Sequence, residues 1–96
     1  MALLSKEQVE TALPNSGWKI EKDRISKHYK FANFSEAFGF MSACATRAEK
    51  MDHHPEWKNI YNNVWVELTT HDASGVTEKD TKLAAYMDGV FKKFAA

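Results

Sequence analysis

The sequence predicts an α+β fold of two layers, in which a four-stranded antiparallel sheet carries three helices on one face in the order α-β-β-α-β-β-α. Three observations predict it. Apolar residues recur at helical spacing in three separated stretches, they alternate with polar residues in short runs between those stretches, and each change of period falls on a turn or capping signal. Two hairpins can join into one sheet, and amphipathic helices laid on its apolar face bury both layers. The opposite face is left for solvent, substrate or a partner.

Ser5 and Gln8 have the spacing of a capping box, and Val9, Ala12 and Leu13 follow as the inner side of a short first helix. Pro14-Asn15-Ser16-Gly17 ends it. Trp18 and Ile20 alternate with Lys19 and Glu21, Asp23-Arg24 turns the chain, and Ile25, Tyr29 and Phe31 resume the pattern as a first hairpin that Lys27 interrupts. Asn33 with Glu36 starts a second helix, which runs to about Met51 on the stripe Phe34, Ala37, Phe38, Met41, Ala45 and Ala48. Phe40 and Cys44 widen that stripe, which suits either a broad face buried within the chain or a contact with another chain.

The second hairpin turns at Tyr61-Asn62-Asn63-Val64, because asparagine accepts the positive φ that a two-residue turn requires. With Asn62 and Asn63 as the loop, Ile60 faces Trp65, Lys58 faces Glu67 and, at the open end, His54 lies opposite His71. Trp57, Tyr61, Val64, Val66 and Leu68 then face the helices, while Lys58, Ile60, Trp65, Glu67, Thr69 and His71 share the other face. Asn59 falls on the apolar side, where the pattern gives it no role. Asp72-Ala73-Ser74-Gly75 makes a turn, and Thr77 with Asp80 marks the start of a third helix. Leu83, Ala84, Met87, Val90, Phe91 and Phe94 form its stripe, and Lys92 and Lys93 suit its C-terminal end.

With 96 residues and 44% hydrophobic content, the chain is expected to form one domain over 1–96 with a small core, which association between copies would extend. Thirteen basic and thirteen acidic residues cancel, which argues against direct nucleic-acid or membrane binding. Cys44 is alone and sits in a helical apolar pattern, so packing is expected of it rather than a disulfide. Met1–Glu7 lacks a basic start followed by an apolar core, and no run approaches the roughly 18 apolar residues of a membrane span. A soluble cytoplasmic protein is expected.

The chemistry concentrates between Glu49 and His71, which holds three of the four histidines, with carboxylates at 49, 52 and 56. Pro55 removes a ladder donor, so the open end of the hairpin is expected to splay into a mouth that His53 could also line. Imidazoles with an ordinary pKa of about 6.5 can give and take protons at cellular pH, which suits a reaction losing a proton at one atom and water at another. Trp57 could supply a flat wall for an aromatic substrate. Two competing readings stay open: a metal held by His53, His54, His71 and a carboxylate, and histidines that only satisfy local hydrogen bonds, as is expected of His28. Ser74, Cys44 and Gly75-Val76-Thr77 lack the context of a nucleophile or a phosphate cradle.

The run Glu49-Lys50-Met51-Asp52-His53-His54-Pro55-Glu56-Trp57, with Asn59-Ile60-Tyr61-Asn62 and Leu68-Thr69-Thr70-His71, closely resembles the signature of pterin-4a-carbinolamine dehydratases. The likeness extends to Gly17-Trp18, to Phe34 and Ala37-Phe38-Gly39-Phe40-Met41, and to Gly75-Val76-Thr77 with Asp80, Leu83 and Ala84. The resemblance implies dehydration of 4a-hydroxytetrahydrobiopterin to quinonoid dihydrobiopterin, with neither metal nor cofactor. It assigns acid/base roles to His53 and His71 and pterin holding to His54. Glu49, Asp52, Pro55, Trp57, Thr70 and Asp80 match pocket or supporting positions, and Asp72 is counted with them. It further implies a homodimer or homotetramer. Some members also serve as coactivators that bind the helical dimerisation segment of a transcription factor, which would add a helical protein partner and a nuclear location.

Overall fold

The computed structural model describes residues 2–94: α1 (Lys6–Ala12), β1 (Lys19–Ile20), β2 (Ile25–Lys30), α2 (Phe34–Met51), β3 (Glu56–Ile60), β4 (Asn63–Leu68), a 3-10 turn over His71–Ala73, and α3 (Glu78–Phe94). The strands form one antiparallel sheet in the order β1-β2-β4-β3. β4 pairs with β2 from Ile25↔Leu68 to Lys30↔Asn63, so the last strand in sequence lies inside and β3 becomes an edge. Ile25, Tyr29, Val64, Val66 and Leu68 point from the sheet into a core completed by Val9, Phe40, Cys44, Leu83 and Met87. The three helices thus cover one face, the α+β architecture that the alternating periods predict.

Local chemistry sets the helix ends. Ser5 Oγ accepts from the Gln8 N–H while Gln8 Oε1 accepts from the Ser5 N–H, closing the capping box of α1. Asn33 Oδ1 accepts from the Glu36 N–H at 2.9 Å and starts α2. α2 buries Ala37, Phe40, Cys44 and Ala48, which resolves the wide stripe in favour of packing within the chain. Phe34 and Phe38 instead stand outward, each more than half exposed, and are corrected from the inner to the outer flank. Ala12 and Ala45 are exposed too.

The second hairpin departs from the expected register by two residues. Lys58 faces Trp65 and Ile60 faces Asn63, so the loop is Tyr61-Asn62 and Tyr61 takes the positive φ of 51°. Tertiary bonds select this register: the Asn62 side-chain amide donates to Phe31 O at 2.8 Å, and the Phe31 N–H donates to Asn62 O at 2.8 Å. Asn59 donates from its side chain to Tyr61 O and Asn63 O, which accounts for a polar residue on that face. A shift of two keeps every strand residue on its predicted face while changing its partner. Tyr61, now in the loop, is exposed rather than directed at the helices. Continued to the open end, the observed register sets His54 level with Thr69 instead of His71.

Lys27 lies on the core side and has partners there. Its ammonium donates to Asp88 Oδ1 at 2.8 Å and to Ser16 O, while Tyr29 Oη and Trp18 Nε1 donate to the same carboxylate. Asp88 thereby ties α3 to β2 and to the loop before β1. On the open face His28 stacks on Trp65 with ring centroids 4.9 Å apart, and its Nε2 lies 2.8 Å from Asn63 Oδ1.

Candidate active site

The end of α2 decides where two neighbouring histidines point. Asp52 closes the helix in the left-handed conformation (φ 52°, ψ 45°), its N–H bonded back to Ala48 and Glu49 carbonyls. The His53 N–H also returns to Ala48 O, at 3.0 Å. This left-handed turn sends His53 inward, where 7% of it is exposed, and leaves His54 outward with its Nε2 2.9 Å from Glu49 Oε1.

His53 meets Asp80, a wholly buried carboxylate in the first turn of α3, with Nε2 and Oδ1 2.5 Å apart. The second oxygen of Asp80 accepts from Thr70 Oγ1 at 2.8 Å and from the Thr77 N–H at 2.9 Å. Asp80 is therefore at once the return arm of a capping box and the partner of an imidazole. A carboxylate used as an acceptor on both oxygens fixes the His53 proton on Nε2 and leaves Nδ1 as the nitrogen able to take another. Thr70 Oγ1 also lies 2.8 Å from Thr77 Oγ1, so this group is fully hydrogen-bonded.

His71 arrives from the other side, at the head of the turn that follows β4. Paired backbone bonds between Thr70 and Gly75 close that turn at its base, and Ser74 supplies its left-handed residue at φ 58°. The imidazole is exposed and lies 3.4 Å from Glu56 Oε2 on the edge strand. Arg24 anchors the neighbouring carboxylates, with Nη1 2.6 Å from Glu67 Oε1 and 3.8 Å from Glu56 Oε1. Each of the three histidines thus has a carboxylate beside its Nε2.

One open cleft of about 400 Å³ gathers these loops. Of the residues singled out in the sequence, His53, His54, His71, Asp52, Pro55, Thr70 and Asp72 line it. Asp80 stands buried behind the lining and Glu49 exposed beside it, each against a histidine. Trp57 is the exception: its strand position turns it to the helix side, half-buried against the core, so it gives the cleft no flat wall. Glu56, Thr69 and Lys79 also line the cleft; the sequence singles out Glu56 only as a nearby carboxylate and Thr69 only by its face, and gives no sign of Lys79. Strand parity sets Glu56 on the face of Thr69 and His71. Among the described residues, no group of three or more His, Cys, Asp or Glu is arranged to hold a metal ion. No helix among them is long and apolar enough to cross a membrane.

The family model described as pterin 4 alpha carbinolamine dehydratase matches residues 2–90. A protein of Solibacter usitatus, provisionally named a pterin-4-alpha-carbinolamine dehydratase, is 48% identical over 88 residues, covering 91% of this chain and 93% of its own. A similarly named protein of Rhizobium rhizogenes is 57% identical over 81 residues, covering 82% and 80%. Among solved structures, a transcriptional coactivator/pterin dehydratase from Brucella melitensis superposes with a TM-score of 0.87 at 44% identity, over 93% of this chain and 98% of that one. A pterin dehydratase-like RuBisCO assembly factor of the alpha-carboxysome, 19% identical with a TM-score of 0.69, covering 80% of this chain and 92% of its own, shares the fold alone.

Proposed function

This chain belongs to the pterin 4 alpha carbinolamine dehydratase family, and from that membership we propose that it dehydrates 4a-hydroxytetrahydrobiopterin to quinonoid dihydrobiopterin. The observation that carries the reading is the convergence of His53, His54 and His71 on one cleft, each against its own carboxylate. In the reaction N5 gives up its proton, its electrons form the C4a=N5 double bond, and the C4a–O bond breaks as the hydroxyl takes a proton and leaves as water. A base near N5 and an acid near the hydroxyl lower the barrier by proton transfer and positioning.

His53 and His71 come from different loops and divide these tasks, exchanging them for substrates of opposite C4a configuration. Asp80 holds the His53 ring in one tautomer, and Glu56 does so less tightly for His71. His54, on the outer lip, holds the pterin, and the Asp52 and Asp72 carboxylates suit the amino and N–H donors of its pyrimidinone edge.

The test follows 4a-carbinolamine breakdown with wild-type protein, His53→Ala and His71→Ala. Wild-type protein is expected to exceed the buffer rate, and each variant to lose about 10²–10⁴-fold in kcat. Folded wild-type protein no faster than buffer would sink the proposal. EDTA is expected to leave the rate unchanged; loss on chelation with recovery on one metal would replace proton transfer by metal chemistry.

A second reading rests on the outer flank of α2, where the exposed Phe34 and Phe38 rings lie 6.0 Å apart. That flank suits another helix, either from a second copy of the chain or from a protein partner, in keeping with the coactivator description of the Brucella relative. Phe38→Glu is expected to lower the sedimentation mass if copies associate there. An unchanged mass would remove this flank as the self-association surface.

A further inference from the structure

Two cavities share Lys79, in the first turn of α3. One is the histidine cleft; the other, of about 600 Å³, adjoins the end of α2, with Leu4 and Met51 as its apolar wall and Glu78 and Lys82 also lining it. Lys79 is the only lysine or arginine lining the cleft among the described residues, whereas Asp52, Glu56 and Asp72 line it with carboxylates. No acidic side chain pairs with Lys79 among the described residues, while Lys82 has only Glu78, at 3.7 Å and with both side chains about three-quarters exposed.

We propose that Lys79, backed by Lys82, forms a subsite for an anionic substituent, specifically a phosphate ester, on the side chain of the reduced pterin. The proposal rests on the dehydratase reading and refines its substrate class. A pterin ring presents hydrogen-bond donors that acidic lining accepts, but an anion attached to it would be repelled by Asp52, Glu56 and Asp72. Toward Lys79 two lysines outnumber the single carboxylate of Glu78, and the second cavity supplies room. An ammonium is a compact charge that phosphate accepts from any direction.

The experiment compares two 4a-hydroxytetrahydropterins that differ only by a phosphate ester on the C6 side chain, using the full chain, Lys79→Gln and Lys82→Gln, each checked for folding by circular dichroism. The phosphorylated substrate is expected to show about a tenfold higher kcat/KM in wild type, an advantage lost in Lys79→Gln and reduced in Lys82→Gln. The advantage is also expected to shrink between low salt and about 0.5 M salt, as an exposed ion pair requires. Equal turnover of both substrates by wild type overturns the subsite and leaves the dehydratase intact. If neither substrate is turned over, the dehydratase reading falls, and calorimetry with the stable 7,8-dihydropterin and its phosphate ester decides the subsite alone. No difference in affinity between the two ligands, or inorganic phosphate competing as strongly as the ester, overturns it.

Discussion

The Asp80 carboxylate lies 2.5 Å from His53 Nε2 across 27 residues of sequence, and its other oxygen holds Thr70 and the N–H that opens α3. Asp80→Asn keeps an acceptor for the helix cap but removes the charge that orients the imidazole. A fall in kcat of about 10–100-fold is expected, as for other partners that orient a working histidine. The accompanying loss of stability is about 1–2 kcal/mol, read from urea midpoints. Unaltered kcat in folded Asp80→Asn would show that the pair is structural only.

Asp88 offers the contrasting case of a hub away from the cleft. Asp88→Ala strands the Lys27 ammonium, the Trp18 indole N–H and the Tyr29 hydroxyl, all of which now donate to it. A loss of about 2–4 kcal/mol is expected in thermal or urea unfolding. Assayed well below its melting point, the variant should retain kcat within about twofold; a larger loss would tie this cluster to the chemistry.

Tyr61 carries a left-handed backbone at φ 51° with its ring largely in solvent. Tyr61→Gly removes the steric penalty of that conformation and surrenders little packing, against the added chain entropy of glycine. A net gain of about 0.5–1 kcal/mol is expected in the urea midpoint. A loss of stability would mean that the ring contributes more than its exposure implies.

Alkaline pH should weaken the fold through two core groups. Burial pushes the Cys44 thiol up from 9.0 to about 12, and burial followed by the bond to Asp88 raises the Tyr29 hydroxyl above 10.0. Above about pH 9 the unfolded chain releases protons that the folded chain keeps, so it binds fewer and stability falls as pH rises. The full contribution is present below pH 9, and each group adds a decline of about 1.4 kcal/mol per pH unit once its unfolded form ionises. Urea midpoints from about pH 8 to pH 10.5 should fall less steeply for Cys44→Ala and Tyr29→Phe than for wild type, although both variants start lower. Identical slopes would exclude these two groups as the cause.

Much of the fold was legible because it is written locally. Ser5 with Gln8, Asn33 with Glu36, and Thr77 with Asp80 mark helix starts that the structure has, and alternation places Val64, Val66 and Leu68 correctly in the core. The hairpin register was not legible, since it depends on Asn62 bonding to Phe31, some thirty residues back in the chain. Adjacent asparagines look alike until one of them is engaged elsewhere. The same limit applies to the cleft. His53 and Asp80 could each be named from the sequence, but their contact requires α2 and α3 to pack. Strand parity puts Trp57 on the helix side, where it packs against the core, and only the flat-wall role suggested by its chemistry fails.

The left-handed residue at Asp52 has an implication for how this protein tolerates change. Were α2 to continue regularly through residue 52, the next two side chains would be carried about 100° per residue around its axis, and the ring now enclosed against Asp80 would swing away. A one-residue deletion or insertion in the final turn of α2 therefore shifts the register by one station, setting His54 or Asp52 where His53 now points inward. Composition would be almost untouched, yet the proton-handling geometry would be lost.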